Sequence, residues 1–242
     1  MEYDELFDFW AHVGPSDRIH PADAPVLARL DEGNQNWNEQ HPAPKQVDGL
    51  DLRCLPLPFM GPLRTAPVVF LVLSPGLEDA DVEEAASKSG PHRYHLMRQG
   101  NQPLPLKGEI GGAWKWWKAR TARLGDPMML RHHVAFLDIG AYHSKKAPDR
   151  QTLAALPSSR MAIDWAQQVL FPQAVKGERV VVCLRAARMW GLRRNRCHGS
   201  LFVPETPQSG HLGQGEIANA AVAAIKAILA KKEPTNGEAG RK

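Results

Sequence analysis

Nowhere does this 242-residue chain string together the roughly eighteen apolar residues that a membrane-crossing helix needs. Its acidic beginning, residues 1–8, lacks the basic-then-apolar order of a secretory signal, so a cytoplasmic location is expected. Cysteine is scarce. Cys54, Cys183 and Cys197 stand far apart with no C-x-x-C pair, which argues against a disulfide framework and against a four-cysteine zinc or iron–sulfur centre. A G-x-S-x-G elbow, a Walker loop and a kinase signature are all missing. Gly210, Gly213 and Gly215 lack the order and the preceding strand of a dinucleotide fingerprint. His132-His133 and Cys197-His198 have no metal-ligand spacing, so neither metal nor cofactor is expected. No internal repeat is visible.

What remains is a globular composition, 43% apolar and 23% charged, long enough for one large domain or a domain with an added arm. Residues 4–12 and 24–31 read as short helices, and 34–67 as a proline-rich stretch with a possible edge strand at 50–57. Residues 1–66 are expected to form an arm packed on the core, because Trp10, Trp37, Leu55 and Phe59 need burial. Apolar strands follow at 68–73, 134–139, 180–184 and 201–203. Between them lie a polar, loop-like span at 79–110 and a helix at 111–124. A second helix, capped by Ser158 and Ser159 and stopped by Pro172, buries Ala162, Trp165, Ala166, Val169 and Leu170. A short helix at 186–190 and a last one at 216–231, buried through Ile217, Ala221, Ala224, Ile225 and Ile228, complete the order. The domain thus spans 67–231, with a disordered tail at 232–242. Alternating strands and helices imply an α/β fold: a three-layer α/β/α sandwich around a mainly parallel, four-stranded sheet.

Such a sheet gathers the carboxyl ends of its strands in one crevice, where ligands of open α/β folds bind. Strand 134–139 delivers Asp138 there, followed by Tyr142-His143-Ser144-Lys145, and strand 68–73 opens into Ser74-Pro75-Gly76 and the acids Glu78 and Asp79. The net charge is only +4, with a pI near 9.0, but its basic residues cluster. Lys115, Lys118, Arg120 and Arg123 form one group, Lys145 and Lys146 a second, and Arg185, Arg188, Arg193, Arg194 and Arg196 a third. Clusters of this kind suit a phosphate backbone. Trp114 and Trp117, three apart on one helix, suit the core, although one of them could border a pocket and stack on an extruded base.

In combination these segments resemble the uracil-DNA glycosylase superfamily. Residues 58–62 and 66–76 look like the approach to its first motif, a strand ending in Asn-Pro-Gly or a relative. Gly112-Ala113-Trp114-Lys115 is similar to the Asn-x-Phe-Trp region of the thymine/mismatch branch. Residues 136–144 resemble the strand that presents a base-reading Asn, and 180–186 the strand after it. Thr206-Pro207-Gln208-Ser209-Gly210-His211-Leu212 resembles the Asn-Pro-Ser-Gly-Leu loop that enters DNA. The likeness runs in order over 58–230. Three departures stand out. Ser74 replaces the Asn or Asp before the first-motif proline, Ala113 replaces a bulky aromatic and should enlarge the pocket, and Asp138 replaces the base-reading Asn. A carboxylate only accepts hydrogen bonds, which suits the exocyclic amine of cytosine and repels a uracil carbonyl.

The resemblance implies a monofunctional DNA glycosylase that flips a base out of double-stranded DNA and needs no obligate protein partner. Glu78 or Asp79 would stabilise the sugar cation and orient water, and His211 would stabilise the departing base. Asp138, Ser74, Pro75, Gly76, Ala113 and Trp114 would form the base pocket. Tyr142, His143, Ser144, Lys145, Gln208, Ser209 and Gly210 would hold the DNA backbone, and Leu212 would fill the vacated stack. Ordinary cytosine as substrate would destroy the host genome. A bulky modified cytosine, such as the hydroxymethylated and glucosylated bases of phage DNA, is therefore expected, in an antiviral role. Three alternatives stay open: repair of uracil or a deaminated base, a DNA-binding protein without catalysis, and a hydrolase using Ser74.

Overall fold

Three largely apolar segments, Val68–Val72 (β4), Val134–Asp138 (β5) and Val180–Cys183 (β6), are buried along their whole length. That is the pattern of parallel strands covered on both faces. In the computed structural model, which describes residues 2–31, 46–205 and 210–231, they pair in parallel at the centre of the sheet. Val68 lies level with both Val134 and Val180, and Val72 with Asp138, so the carboxyl ends finish side by side. Leu201–Val203 (β8) extends the parallel set beyond β6.

The sheet has six strands rather than four, in the order β3-β5-β4-β6-β8-β7. The two additions are short antiparallel edges, Phe59–Met60 (β3) on β5 and Arg196–His198 (β7) on β8. A separate hairpin of Gln46–Val47 (β1) and Leu50–Asp51 (β2) replaces the edge strand expected at 50–57. The β7–β8 turn runs through Gly199, whose φ of +57° and close approach to the Val175 carbonyl leave no room for a side chain.

Helices flank the sheet, with one apolar cluster on each face, in keeping with three α/β/α layers. One face packs Val69, Leu71, Leu137 and Val181 against Glu5–Ala11 (α1), Ala24–Leu30 (α2) and Pro157–Trp165 (α8). The other packs Phe70, Phe136 and Val182 against Ala113–Thr121 (α5) and Glu216–Ala230 (α10). Trp10, Leu55 and Phe59 are buried as expected, while Trp37 and the tail at 232–242 lie outside the described residues.

Several local expectations change. The span 79–110 holds two helices, Asp79–Ala86 (α3) and Gly90–Arg98 (α4), and Pro127–Leu130 (α6) precedes β5. Ser158 and Ser159 are buried inside α8 instead of capping it; Asp149 caps the preceding Arg150–Ala155 (α7) by accepting from the Gln151 and Thr152 amides. Pro172 does not stop the chain's helical course. A wide π turn at Ala166–Leu170 leads into Phe171–Val175 (α9), and this widened turn directly before Pro172 accommodates a proline that has no N–H to donate. Residues 186–190 form a turn, not a helix. No helix of the described residues is long and apolar enough to cross a membrane.

Candidate base-binding site

The loops after β4 and β5 are stitched together at the carboxyl edge of the sheet. Gly140 N–H donates to the Leu73 carbonyl (2.8 Å), Ser144 N–H to the Pro75 carbonyl (3.1 Å), and the hydroxyls of Ser74 and Ser144 lie 3.2 Å apart. Beside this seam is a pocket of ≈ 70 Å³. Leu57, Met60, Ile110, Ala113 and Trp116 supply its apolar wall; Glu78, Asp81, Asp138 and His143 supply its polar groups, and Pro75, Gly76 and Gly112 complete it.

Asp138 is the last residue of β5, its backbone N–H held by the Pro58 carbonyl (2.9 Å). The residue is 6% exposed, and its Oδ1 has no hydrogen-bond partner among the described residues. Burial pushes its carboxyl well above the usual carboxylate range, against the opposing pull of Arg185 and Arg120. Burial and the neighbouring Arg185 in turn lower Arg120 to about 10. Burial thus works against the fixed anion expected here and toward the neutral acid, which donates one hydrogen bond and accepts others.

Trp116 borders the pocket, where Trp114 was expected. Its ring meets Phe136 edge-on at 4.9 Å and carries the Arg120 guanidinium 4.0 Å above it. Trp114 instead packs perpendicular to the buried Trp117 (4.9 Å), whose indole N–H donates to the Pro105 carbonyl. The indole of Trp116 also narrows the space that Ala113 was expected to open. A cavity of ≈ 70 Å³ is well below the roughly 150 Å³ that admits benzene, so a pyrimidine enters only as a wall shifts or with part of its ring in the mouth.

Glu78 and Asp81 form the reciprocal capping box of α3, with the Glu78 N–H donating to Asp81 Oδ2 (2.7 Å). Two glycines let the start of α5 close over these acids. A Cβ on Gly112 would sit 2.5 Å from Glu78 Oε2, and one on Gly111 (φ +34°) would collide with Asp81 Oδ1. Asp79 is exposed at the start of α3 and does not line the pocket. His143 is buried on the pocket wall rather than set against a DNA backbone. Its Nδ1 lies 2.6 Å from the Gly76 carbonyl, which assigns the ring proton there and leaves Nε2 without a partner among the described residues. Burial lowers the pKa of His143, opposed by the charge of Asp81.

Other residues fall elsewhere. Tyr142 is fully buried and faces the N-terminal segment, donating to Asp23 Oδ2 (2.6 Å) and accepting from the His20 N–H (3.1 Å). It is a structural residue, not a DNA contact. Tyr142→Phe should lower the unfolding free energy by about 1–3 kcal/mol and leave DNA affinity unchanged, read from urea midpoints and duplex titrations. Leu212 is buried in the core on the α10 side of the sheet, so it is not available to fill a vacated base stack. Gly210 is buried with φ +70° over the Arg185 stem, and His211 is half-buried and outside the pocket lining. Ser74 faces Ser144 rather than the pocket, which weakens the hydrolase alternative. Ser144 is buried and Lys145 exposed; Gln208 and Ser209 lie outside the described residues.

Asp81, Gly112, Trp116, Leu57, Met60 and Ile110 are pocket residues that sequence reasoning missed. The Glu78-x-x-Asp81 spacing and the Gly111-Gly112 pair before a tryptophan-rich helix were the available signals. A larger cavity of ≈ 550 Å³ lies beside α1 and α4, but its arginines are engaged, Arg64 with Asp4 and Arg98 with the Pro56 and Gly14 carbonyls. No cluster of His, Cys, Asp and Glu among the described residues could hold a metal ion.

No family model matches the chain, and neither the curated proteins nor the solved structures contain a match.

Proposed function

We propose that the protein is a monofunctional DNA glycosylase that receives a flipped, cytosine-type base in the pocket at the ends of β4 and β5. The observation that carries this reading is Asp138: a buried carboxyl on an apolar, tryptophan-walled pocket, with the carboxylate of Glu78 on the same wall. The pocket wants a group that is flat, mostly apolar on its faces and rich in hydrogen bonds on one edge, which describes a nucleobase.

In the working complex the neutral Asp138 accepts from the cytosine N4 amine and donates to N3. As the C1′–N1 bond lengthens, the Asp138 proton passes to N3, and the bonding pair leaves with a base that is neutral overall. Glu78 stabilises the positive sugar and takes a proton from the water that adds to C1′. No lysine lines the pocket among the described residues, and the proposed product is an intact strand with an abasic site. The ≈ 70 Å³ pocket holds no hexose, so a glucosyl group on the base projects through the mouth. Restriction to modified cytosine, and with it an antiviral role, keeps the host genome from being the substrate.

One observation favours a second reading. A protonated Asp138 can also donate to O4 of uracil and accept from its N3–H, so repair of uracil or a deaminated base competes with the first reading. Incubation with unmodified, uracil-containing, hydroxymethylated and glucosylated DNAs, scored by alkali-labile breaks, separates them. Breaks confined to the modified-cytosine DNAs support the proposal; breaks confined to uracil DNA overturn it.

Gly112→Ala offers a local check. The added methyl meets the flexible end of Glu78, so the fold should survive with a small change in Tm. The displaced carboxylate should lower the excision rate about 10²-fold in single-turnover assays, the scale of a 1 Å misplacement.

A further inference from the structure

The register of β7 and β8 carries an arginine group to the same edge of the sheet as the pocket. Arg196 pairs with Val203, at the carboxyl end of β8, while the turn at Gly199 lies at the opposite end. Arg193 and Arg194, which precede β7, therefore emerge beyond the carboxyl ends of the parallel strands. Arg194 lies close enough to the end of β6 to act electrostatically on Cys183. Arg193, Arg194 and Arg196 are all exposed, and none of their side chains makes a hydrogen bond or ion pair among the described residues. Glu205, which follows β8, accepts from Asn195 Nδ2 (3.2 Å) and leaves the three guanidinium groups uncompensated. Charges so grouped repel one another, and nothing in the fold requires them.

Between β5, which ends in Asp138, and β7 lie four steps across the sheet, roughly 19 Å at about 4.8 Å per strand. Duplex DNA presents a phosphate about every 3.4 Å along each strand, so this spacing corresponds to some five or six phosphates. Lys145 and Lys146, exposed just after β5, mark the other end of the same edge.

We infer that the Arg193–Arg194–Arg196 entry to the edge hairpin is a phosphate-binding clamp, which grips duplex DNA several nucleotides from the base held in the pocket. This deepens the glycosylase reading and rests on it for the position of the flipped base. Guanidinium groups bind phosphate oxygens in forked geometry, and a clamp remote from the reacting base raises affinity without reading sequence.

The test is the salt dependence of binding, measured by fluorescence anisotropy with an unmodified duplex over 50–200 mM salt, an interval chosen from the usual range. The triple variant Arg193→Ala, Arg194→Ala, Arg196→Ala should flatten the slope of log K against log salt by about 2–3, because each lost phosphate contact removes about 0.9. Affinity at the low-salt end should fall at least about tenfold. The matching lysine triple should restore most of the slope, since it keeps the charge. An unchanged slope in the alanine triple, or loss of binding to anionic lipid vesicles with the DNA slope intact, overturns the clamp. If the wild type yields abasic sites while the alanine triple keeps its slope, the clamp fails and the glycosylase reading stands. If no DNA yields abasic sites but the slope flattens, the glycosylase reading fails and the clamp stands.

Discussion

Asp138→Asn is expected to lower the excision rate of a cytosine-type base by about 10²–10⁴-fold with little change in KM, the range of a lost general acid. The amide reproduces the hydrogen bonds of the neutral carboxyl, accepting from N4–H and donating to N3, so binding survives. It cannot give up a proton on the timescale of bond cleavage, so the base must leave as an anion. The same amide suits uracil, donating to O4, where the departing anion shares its charge, and accepting from N3–H, so the variant should shift preference toward uracil-containing DNA. In the wild type, excision should fall as pH rises through the elevated pKa of Asp138, and the variant should lack this limb. A split in which KM rises and the rate constant holds would assign Asp138 to binding alone.

The same residue links activity to stability. Folding raises the Asp138 pKa, so between the ordinary carboxylate value, about 3.9, and the folded value the native state holds a proton that the unfolded state has released. Protons bound in excess by the native state make stability fall as pH rises through that window. Above it the full cost persists. Asp138→Asn removes that cost, so its advantage over the wild type in urea unfolding should grow with pH above about 4, by up to about 1.4 kcal/mol per pH unit. A variant that loses ground with rising pH would contradict the burial of an uncompensated acid.

Glu78→Gln is the second large expected effect. If Glu78 stabilises the sugar cation as proposed, loss of its charge should reduce the single-turnover rate by about 10²–10³-fold, the scale seen when one preorganised electrostatic partner is removed. DNA affinity should hold or rise, because an anion near the phosphates has gone. Glutamine keeps the capping geometry, which leaves α3 intact. Asp81→Asn is the informative comparison, since Asp81 is buried and accepts the Glu78 N–H. If it abolishes the reaction while Glu78→Gln does not, the catalytic carboxylate is the inner one.

The central strands were legible because Val68–Val72, Val134–Asp138 and Val180–Cys183 are apolar throughout, and a carboxylate at the end of such a run stands out. The edges were not. Phe59–Met60 has two paired residues hemmed by prolines, and Arg196–His198 is fully exposed, so neither carries an apolar signature. The polar composition of 79–98 hid α3 and α4, although Gly90-Pro91 stands where proline favours a helix start. Within the site, identity was easier to read than direction. The helical phase of α5 turns Trp116 to the pocket and Trp117 to the core. Beyond β5, regular alternation ends, and Tyr142 and His143 face different neighbours: one the N-terminal segment, the other the pocket. Leu212 reads equally well as a wedge or as a core residue, and only its packing decides. The protonation of Asp138 depends on the depth of its burial, which residue type alone does not encode.

Release of the base itself tests the central claim most directly. Genomic DNA containing hydroxymethylated or glucosylated cytosine, treated with the wild-type protein, should yield the free modified base by mass spectrometry and leave the strand unbroken until alkali is added. Asp138→Asn should release it far more slowly under the same conditions. Release of uracil alone, or of no base from any DNA by a protein that binds the duplex, would contradict the assignment of this pocket to modified cytosine.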